Sequence, residues 1–154
     1  MIYNFDNKEI ALVGNATALL KKKYGIIIDS YETIVRFNRL PLEEYYINVG
    51  RRTDLFVWNY EGYKVSGNFV DEYVHNFIID GYNYTERPSS GMIMIYHILH
   101  YTNYKSLTLY GFDSMESSST SDPHFNQKRG PHTYSIEKSL IQSFRNEGKL
   151  FMRV

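Results

Sequence analysis

Five histidines, no cysteine and a scatter of single carboxylates set the chemistry open to this 154-residue chain. His124 and His132 flank the exit of a long polar, serine-rich stretch, Met115 to Pro131, into an amphipathic segment. Two loop imidazoles at one rim suit acid–base work. His132 stands at the start of a helical pattern, with Glu137 about one and a half turns on. The positive end of a helix dipole biases such a histidine towards its neutral form, as a general base requires. A second feature is Pro88-Ser89-Ser90-Gly91, immediately before an apolar run. Its hydroxyls can cap a helix, and Gly91 lets a ligand approach the backbone. Unpaired amides and the dipole at such a start favour an anion, typically phosphate or carboxylate. Ser89 and Ser90 also read as plain helix caps, and Asn15 and Asn38 as residues that tie turns at strand ends.

Other chemistries find less support. His97 and His100 lie on one helical run, but two histidines without a third ligand make a poor metal site. Asp29, Asp54, Asp80 and Asp113 are isolated in sequence, and no DxD pair is present to hold a sugar nucleotide through a divalent ion. No metal site and no resident cofactor are expected. Gly14-Asn15 follows a strand-like run, yet GNATAL is neither a GxGxxG turn nor a Walker loop.

The elements that must position these residues follow from local patterns. Glu9–Val13, Thr33–Phe37, Asp54–Trp58 and Leu107–Tyr110 read as strands, with a weak strand at Phe77–Asp80 and a last one at Leu150–Val154. Ala16–Lys23 reads as a short helical segment closed by Tyr24-Gly25, Pro41–Tyr46 as a loop or one helical turn, and Glu61–Gly67 as a loop. Phe69–Asn76 has helical character. Met92–Tyr101 is apolar almost all round, the mark of a helix packed between a sheet and other structure. His132–Asn146 has helical spacing and ends at Gly148. Strands that are continuous apolar runs and alternate with helices predict one doubly wound, mostly parallel α/β sheet with helices on both faces. Gly14, Asn15, Asn38, Asn59 and Gly111 would then converge beyond the carboxyl ends of the strands, where such sheets bind ligands. The polar stretch Met115–Pro131 reads as a lid.

At this length a single domain, residues 1–154, is expected. Lys plus Arg equals Asp plus Glu, 17 each, so no long-range field draws in nucleic acid or anionic lipid. Lys21-Lys22-Lys23 reads as a solvated helix end. No signal-peptide pattern is present, and no apolar run approaches the roughly 20 residues of a membrane span. The lack of cysteine fits a reducing, cytoplasmic setting.

Taken together, four segments resemble the sialylmotifs of eukaryotic-type sialyltransferases, glycosyltransferase family 29. ALVGNATAL…IDSYETIVRFNRLP…NVGRRTDL resembles the L motif, and RPSSGMIMIYHILHYTNYKSLTLYGFD resembles the S motif. Pro123-His124-Phe125 is similar to motif III, and His132 with Glu137 to motif VS. All four stand in the family order. The resemblance implies a Rossmann-like fold, a variant of the GT-A type, and transfer of sialic acid from CMP-sialic acid to a glycan hydroxyl with inversion and without a metal. It implies that Asn15 and Asn38 hold the CMP part of the donor, beside Gly14, and that Ser89, Ser90 and Gly91 present hydroxyl and backbone groups to it. His124 would stabilise the departing phosphate, His132 would take the acceptor proton, and Glu137 would support the helix. The family's motif cysteines, joined as a disulfide, are replaced here by Ile10 and Tyr104. Two other readings stand beside this one: a relative using another CMP-sugar such as CMP-Kdo, and a non-catalytic nucleotide-sugar or glycan-binding module.

Overall fold

The computed structural model describes residues 3–37, 42–57, 88–112 and 134–153. Five strands form one sheet: β1 (Glu9–Val13), β2 (Thr33–Phe37), β3 (Leu55–Val57), β4 (Ser106–Tyr110) and β5 (Phe151–Arg153). Their spatial order is β3-β2-β1-β4-β5, and every pairing is parallel. Parallel strands need crossovers, which here are a 3-10 helix (Thr17–Lys21), α1 (Gly25–Asp29), α2 (Leu42–Val49), α3 (Ser90–Tyr101) and α4 (Tyr134–Asn146). The sheet therefore winds outward in both directions from β1 and β4, as the alternating pattern predicts.

Each face of the sheet carries its own core. On one side Ile10, Leu12, Val35 and Phe37 pack with Met92 to Tyr96 and Ile98 of α3 and with Ile141 and Phe144 of α4. On the other, Ala11, Val13 and Ile34 pack with Leu19, Ile28 and Val49. Burial on both faces is why these strands are continuous apolar runs rather than alternating ones. Ile10 and Tyr104 share the first core, so apolar packing joins the positions where the resembled family has a disulfide.

Two local expectations are corrected. Gly25 does not close a helix but opens α1, whose Gly25-Ile26-Ile27-Ile28-Asp29 sequence lacks helical polarity. A side chain at Gly25 would fall on the Tyr46 carbonyl oxygen, so the glycine lets α1 and α2 touch backbone to backbone. The segment after Pro41 is a full helix, Leu42–Val49, rather than one turn. Expected elements at Glu61–Gly67, Phe69–Asn76 and Phe77–Asp80, with the Met115–Pro131 stretch, lie outside the described residues.

His97 is buried in α3, edge-on to Phe5 at 5.8 Å and nearly parallel to the Tyr101 ring at 6.0 Å. Burial lowers its pKa to about 4 from the usual 6.5. The folded protein keeps the imidazole neutral where the unfolded chain takes up a proton, so stability is lost as pH falls from about 6.5 towards 4. His97→Phe is expected to remove that part of the acid destabilisation. Urea midpoints measured across this pH range check it: an unchanged slope in the variant would contradict the assignment.

Candidate functional site

Winding direction reverses between β1 and β4, and doubly wound sheets bind ligands beyond the carboxyl ends of the strands at such a point. Gly14 and Asn15 leave β1 there, and Gly111 and Phe112 leave β4. The Gly14 amide donates to the Tyr110 carbonyl at 2.7 Å and the Ala16 amide to the Gly111 carbonyl at 3.2 Å, which ties the two turns together. Asn15 Nδ2 donates to the Phe37 carbonyl at 3.0 Å, so this amide bridges the ends of β1 and β2. The turn-tying reading of Asn15 is thus realised; its carboxamide oxygen has no partner among the described residues.

Phe112 is the residue that sequence reasoning missed. A Cβ on Gly91 would lie 2.7 Å from Phe112 Cε1, and one on Gly14 would lie 3.1 Å from Phe112 Cε2. Its ring also meets Phe37 edge-on, with centroids 5.7 Å apart. One phenyl ring therefore sits between the β1 turn and the start of α3, and both glycines are small because it is there. The only sequence signal was a strand running into Gly111, which adopts φ of +73°.

The start of α3 is capped twice. Ser89 has an extended N-cap conformation, and its hydroxyl oxygen accepts from the Met92 amide at 3.2 Å. The same hydroxyl donates to one carboxylate oxygen of Glu137, and the Ser89 amide donates to the other at 2.9 Å. Glu137, on the first turn of α4, is only 4% exposed. A carboxylate from one helix thus holds the N-terminus of another, a favourable charge–dipole pairing. Both donors of Ser89 are committed to Glu137; the amides of Ser90 and Gly91 have no acceptor among the described residues. Removing the carboxylate in Glu137→Ala loses charge-assisted bonds worth about 2–4 kcal/mol in all. The melting temperature should fall by roughly 5–15 °C, with Glu137→Gln losing less. A change of under about 1 °C would show that the contact is idle.

Asp29, at the end of α1 and ahead of β2, is far from isolated and builds a clamp. Its carboxylate accepts from the amides of Arg51, at 2.9 Å, and Arg52, at 2.9 Å, and faces Arg36 Nη2 at 3.8 Å. Arg36 is buried on β2; its Nε donates to the Arg52 carbonyl at 2.9 Å and to Thr53 Oγ1 at 3.0 Å. Burial lowers the Arg36 pKa to about 10 while Asp29 opposes the shift, so the guanidinium stays charged at neutral pH. Arg52 Nη1 returns to the carbonyls of Asp29, at 2.6 Å, and Tyr31, at 2.9 Å. Gly50, at φ of +80°, turns the chain so closely over Asp29 that a side chain would collide with the carboxylate. NVGRRTD is therefore a fastening between α1, β2 and β3.

Gly14, Asn15, Ser89, Ser90, Gly91 and Glu137 are thus drawn together around Phe112 and the α3 start. Asn38, Asn59, His124 and His132 lie outside the described residues. No group of three or more His, Asp or Glu side chains able to hold a metal occurs among the described residues. No helix among them is long and apolar enough to cross a membrane.

These features define a Rossmann-like α/β domain whose candidate site lies at its winding reversal. The model of glycosyltransferase family 29 (sialyltransferase) matches residues 5–71, so the resemblance read from the L-motif segment is shown there. The chain is also 34% identical over 61 residues to sialyltransferase-like protein 2 of Arabidopsis thaliana. The alignment covers 40% of this chain and 14% of that protein, so the chain spans a small part of that relative's length. In structure the chain is similar to a mammalian sialyltransferase, with a TM-score of 0.70 and 20% identity over 96% of this chain and 69% of that one. A second structure, of a mammalian sialyltransferase in complex with Gal-beta-1-3GalNAc-ortho-nitrophenol, has a TM-score of 0.67 and 19% identity, with the same coverage. At such identity the likeness establishes the fold.

Proposed function

We propose that this protein is a metal-independent, inverting glycosyltransferase that moves sialic acid from CMP-sialic acid to a glycan hydroxyl. The observation that carries the reading is the start of α3 beside the β1 turn. Gly14 and Gly91 stand on either side of the Phe112 ring, and the Ser90 and Gly91 amides have no acceptor among the described residues. The sialyltransferase match over residues 5–71 supports a sialic acid donor for this site. The donor's cytidine monophosphate leaves as an anion, and preorganised amides at a helix start stabilise such a charge as it develops. Asn15 and Asn38 hold the nucleotide. Ser89 acts by fixing the helix start, since Glu137 takes its donors, and leaves Ser90 and Gly91 to face the phosphate. His124 stabilises the leaving phosphate. His132 removes the proton from the attacking acceptor hydroxyl. The partners are a nucleotide-sugar donor and a glycan acceptor, with no resident cofactor, and the cysteine-free chain suits a cytoplasmic setting.

The test is direct. CMP at 100 times its Kd should raise stability by about 2.7 kcal/mol, visible as an upward shift in melting temperature. Incubation with CMP-sialic acid and a glycan panel should release CMP and add one sialic acid mass to an acceptor. Turnover with CMP-Kdo alone would reassign the donor, and CMP binding with no hydrolysis or transfer would leave a nucleotide-sugar binding module. No response to CMP would overturn the reading.

A further inference from the structure

The outer surface of α1 and α2, on the sheet face opposite α3, is apolar where a helix facing water should be polar. Of the five residues of α1, Gly25 and Ile28 turn inward. Ile26 is 90% exposed and Ile27 52%. On the neighbouring helix Ile47 is 53% exposed and Tyr46 39%. The two helices touch through Gly25 and the carbonyls of Tyr46 and Ile47, so these exposed side chains stand on adjoining helices. Exposed apolar area of this kind marks an interaction surface.

The rim of the patch is basic. Lys21, Lys22 and Lys23 run into α1 and are all exposed. They are held beside α2 by Asn48, whose Nδ2 donates to the Leu20 carbonyl at 3.2 Å and the Lys22 carbonyl at 2.7 Å. None of the three lysines has a carboxylate partner among the described residues. Arg51 lies over the Tyr46 ring at 3.9 Å and adds a cation to the opposite edge. Asp29, which ends α1, is committed to the amides of Arg51 and Arg52. Glu43 and Glu44, exposed on the first turn of α2, lie one turn from Ile47, so the cations of Lys21–Lys23 and Arg51 outnumber the carboxylates beside the patch by four to two.

We propose that this face docks the protein on an anionic membrane surface. Ile26, Ile27 and Ile47 would enter the boundary between headgroups and acyl chains, with Tyr46 at headgroup level. The Lys21–Lys23 run and Arg51 would meet lipid phosphates. A bilayer accepts aliphatic side chains and anchors cations in the same few ångströms, which matches a protruding isoleucine next to a run of exposed lysines. This attachment is independent of the reading of the candidate site, and its test needs no turnover.

The full chain is sedimented with vesicles of phosphatidylcholine alone and of phosphatidylcholine mixed with phosphatidylglycerol. Partition onto the mixed vesicles should be about ten-fold or more stronger and should weaken as salt is raised. Ile26→Ser/Ile47→Ser should abolish it, and Lys22→Ala/Lys23→Ala should weaken it to near the phosphatidylcholine level, both with an unchanged melting temperature because the residues are exposed. Absence of binding, equal binding to both vesicle types, or full binding by the serine variant would overturn the proposal. A wild-type dimer in size-exclusion chromatography that the serine variant loses would also overturn it, by giving the face to a second copy of the chain.

Discussion

Asp29→Ala is expected to lower the stability of the fold by about 3–5 kcal/mol, a fall of roughly 6–20 °C in melting temperature. The cause is what the substitution leaves behind. Arg36 is buried and charged, and Asp29 is the carboxylate it faces, at 3.8 Å. Removal of a single partner strands a charge in a low-dielectric interior, which costs far more than the intact pair contributes. The amides of Arg51 and Arg52 lose their acceptor in the same step. Asp29→Asn, which keeps an acceptor oxygen but not the charge, should fall between the two. Asp29→Ala combined with Arg36→Leu should recover part of the loss, because the stranded cation is gone. Urea titration of the three variants checks the series. If Asp29→Ala alone stays within about 0.5 kcal/mol of the wild type, the clamp is not what holds α1 to β3.

His132→Ala is expected to reduce transfer from CMP-sialic acid by at least about 100-fold while leaving the CMP-induced stabilisation unchanged. A general base acts on the acceptor hydroxyl in the transition state, so its loss falls on turnover rather than on donor binding. Stopped-time product assays paired with thermal shifts separate the two quantities. In the wild type the rate should fall on the acid side as the imidazole takes up a proton, and that limb should be absent from the residual activity of the variant. Normal turnover in His132→Ala would remove the residue from the chemistry. Loss of the CMP response together with turnover would make it a donor contact instead.

Much of the scaffold was legible in the chain. EIALV, TIVRF and SLTLY declare themselves as strands buried on both faces because apolar runs of that length have no solvent side. The segment from Met92 to Tyr101 reads as a buried helix for a similar reason, and Ser89 as its cap because a hydroxyl before such a run can accept from the first-turn amides. These are local signals, and local physics is enough to produce them. Alternation of the two element types then restricts the topology to parallel winding, which places Gly14, Asn15 and Gly111 on one edge.

Only the tertiary structure decided the rest. GIIID carries no helical polarity, and it is helical because Gly25 lets its backbone rest on α2. Asp29 looked isolated because its partners lie 22 and 23 residues away, on a turn shaped by Gly50. Ser89 reads as a group free for a ligand until Glu137, 48 residues on, takes its amide and hydroxyl. Phe112 gives no sign in sequence that it sets the spacing between Gly14 and Gly91. Each of these is a contact between segments distant along the chain, so its existence depends on how the layers pack, and no pattern of neighbouring residues encodes that.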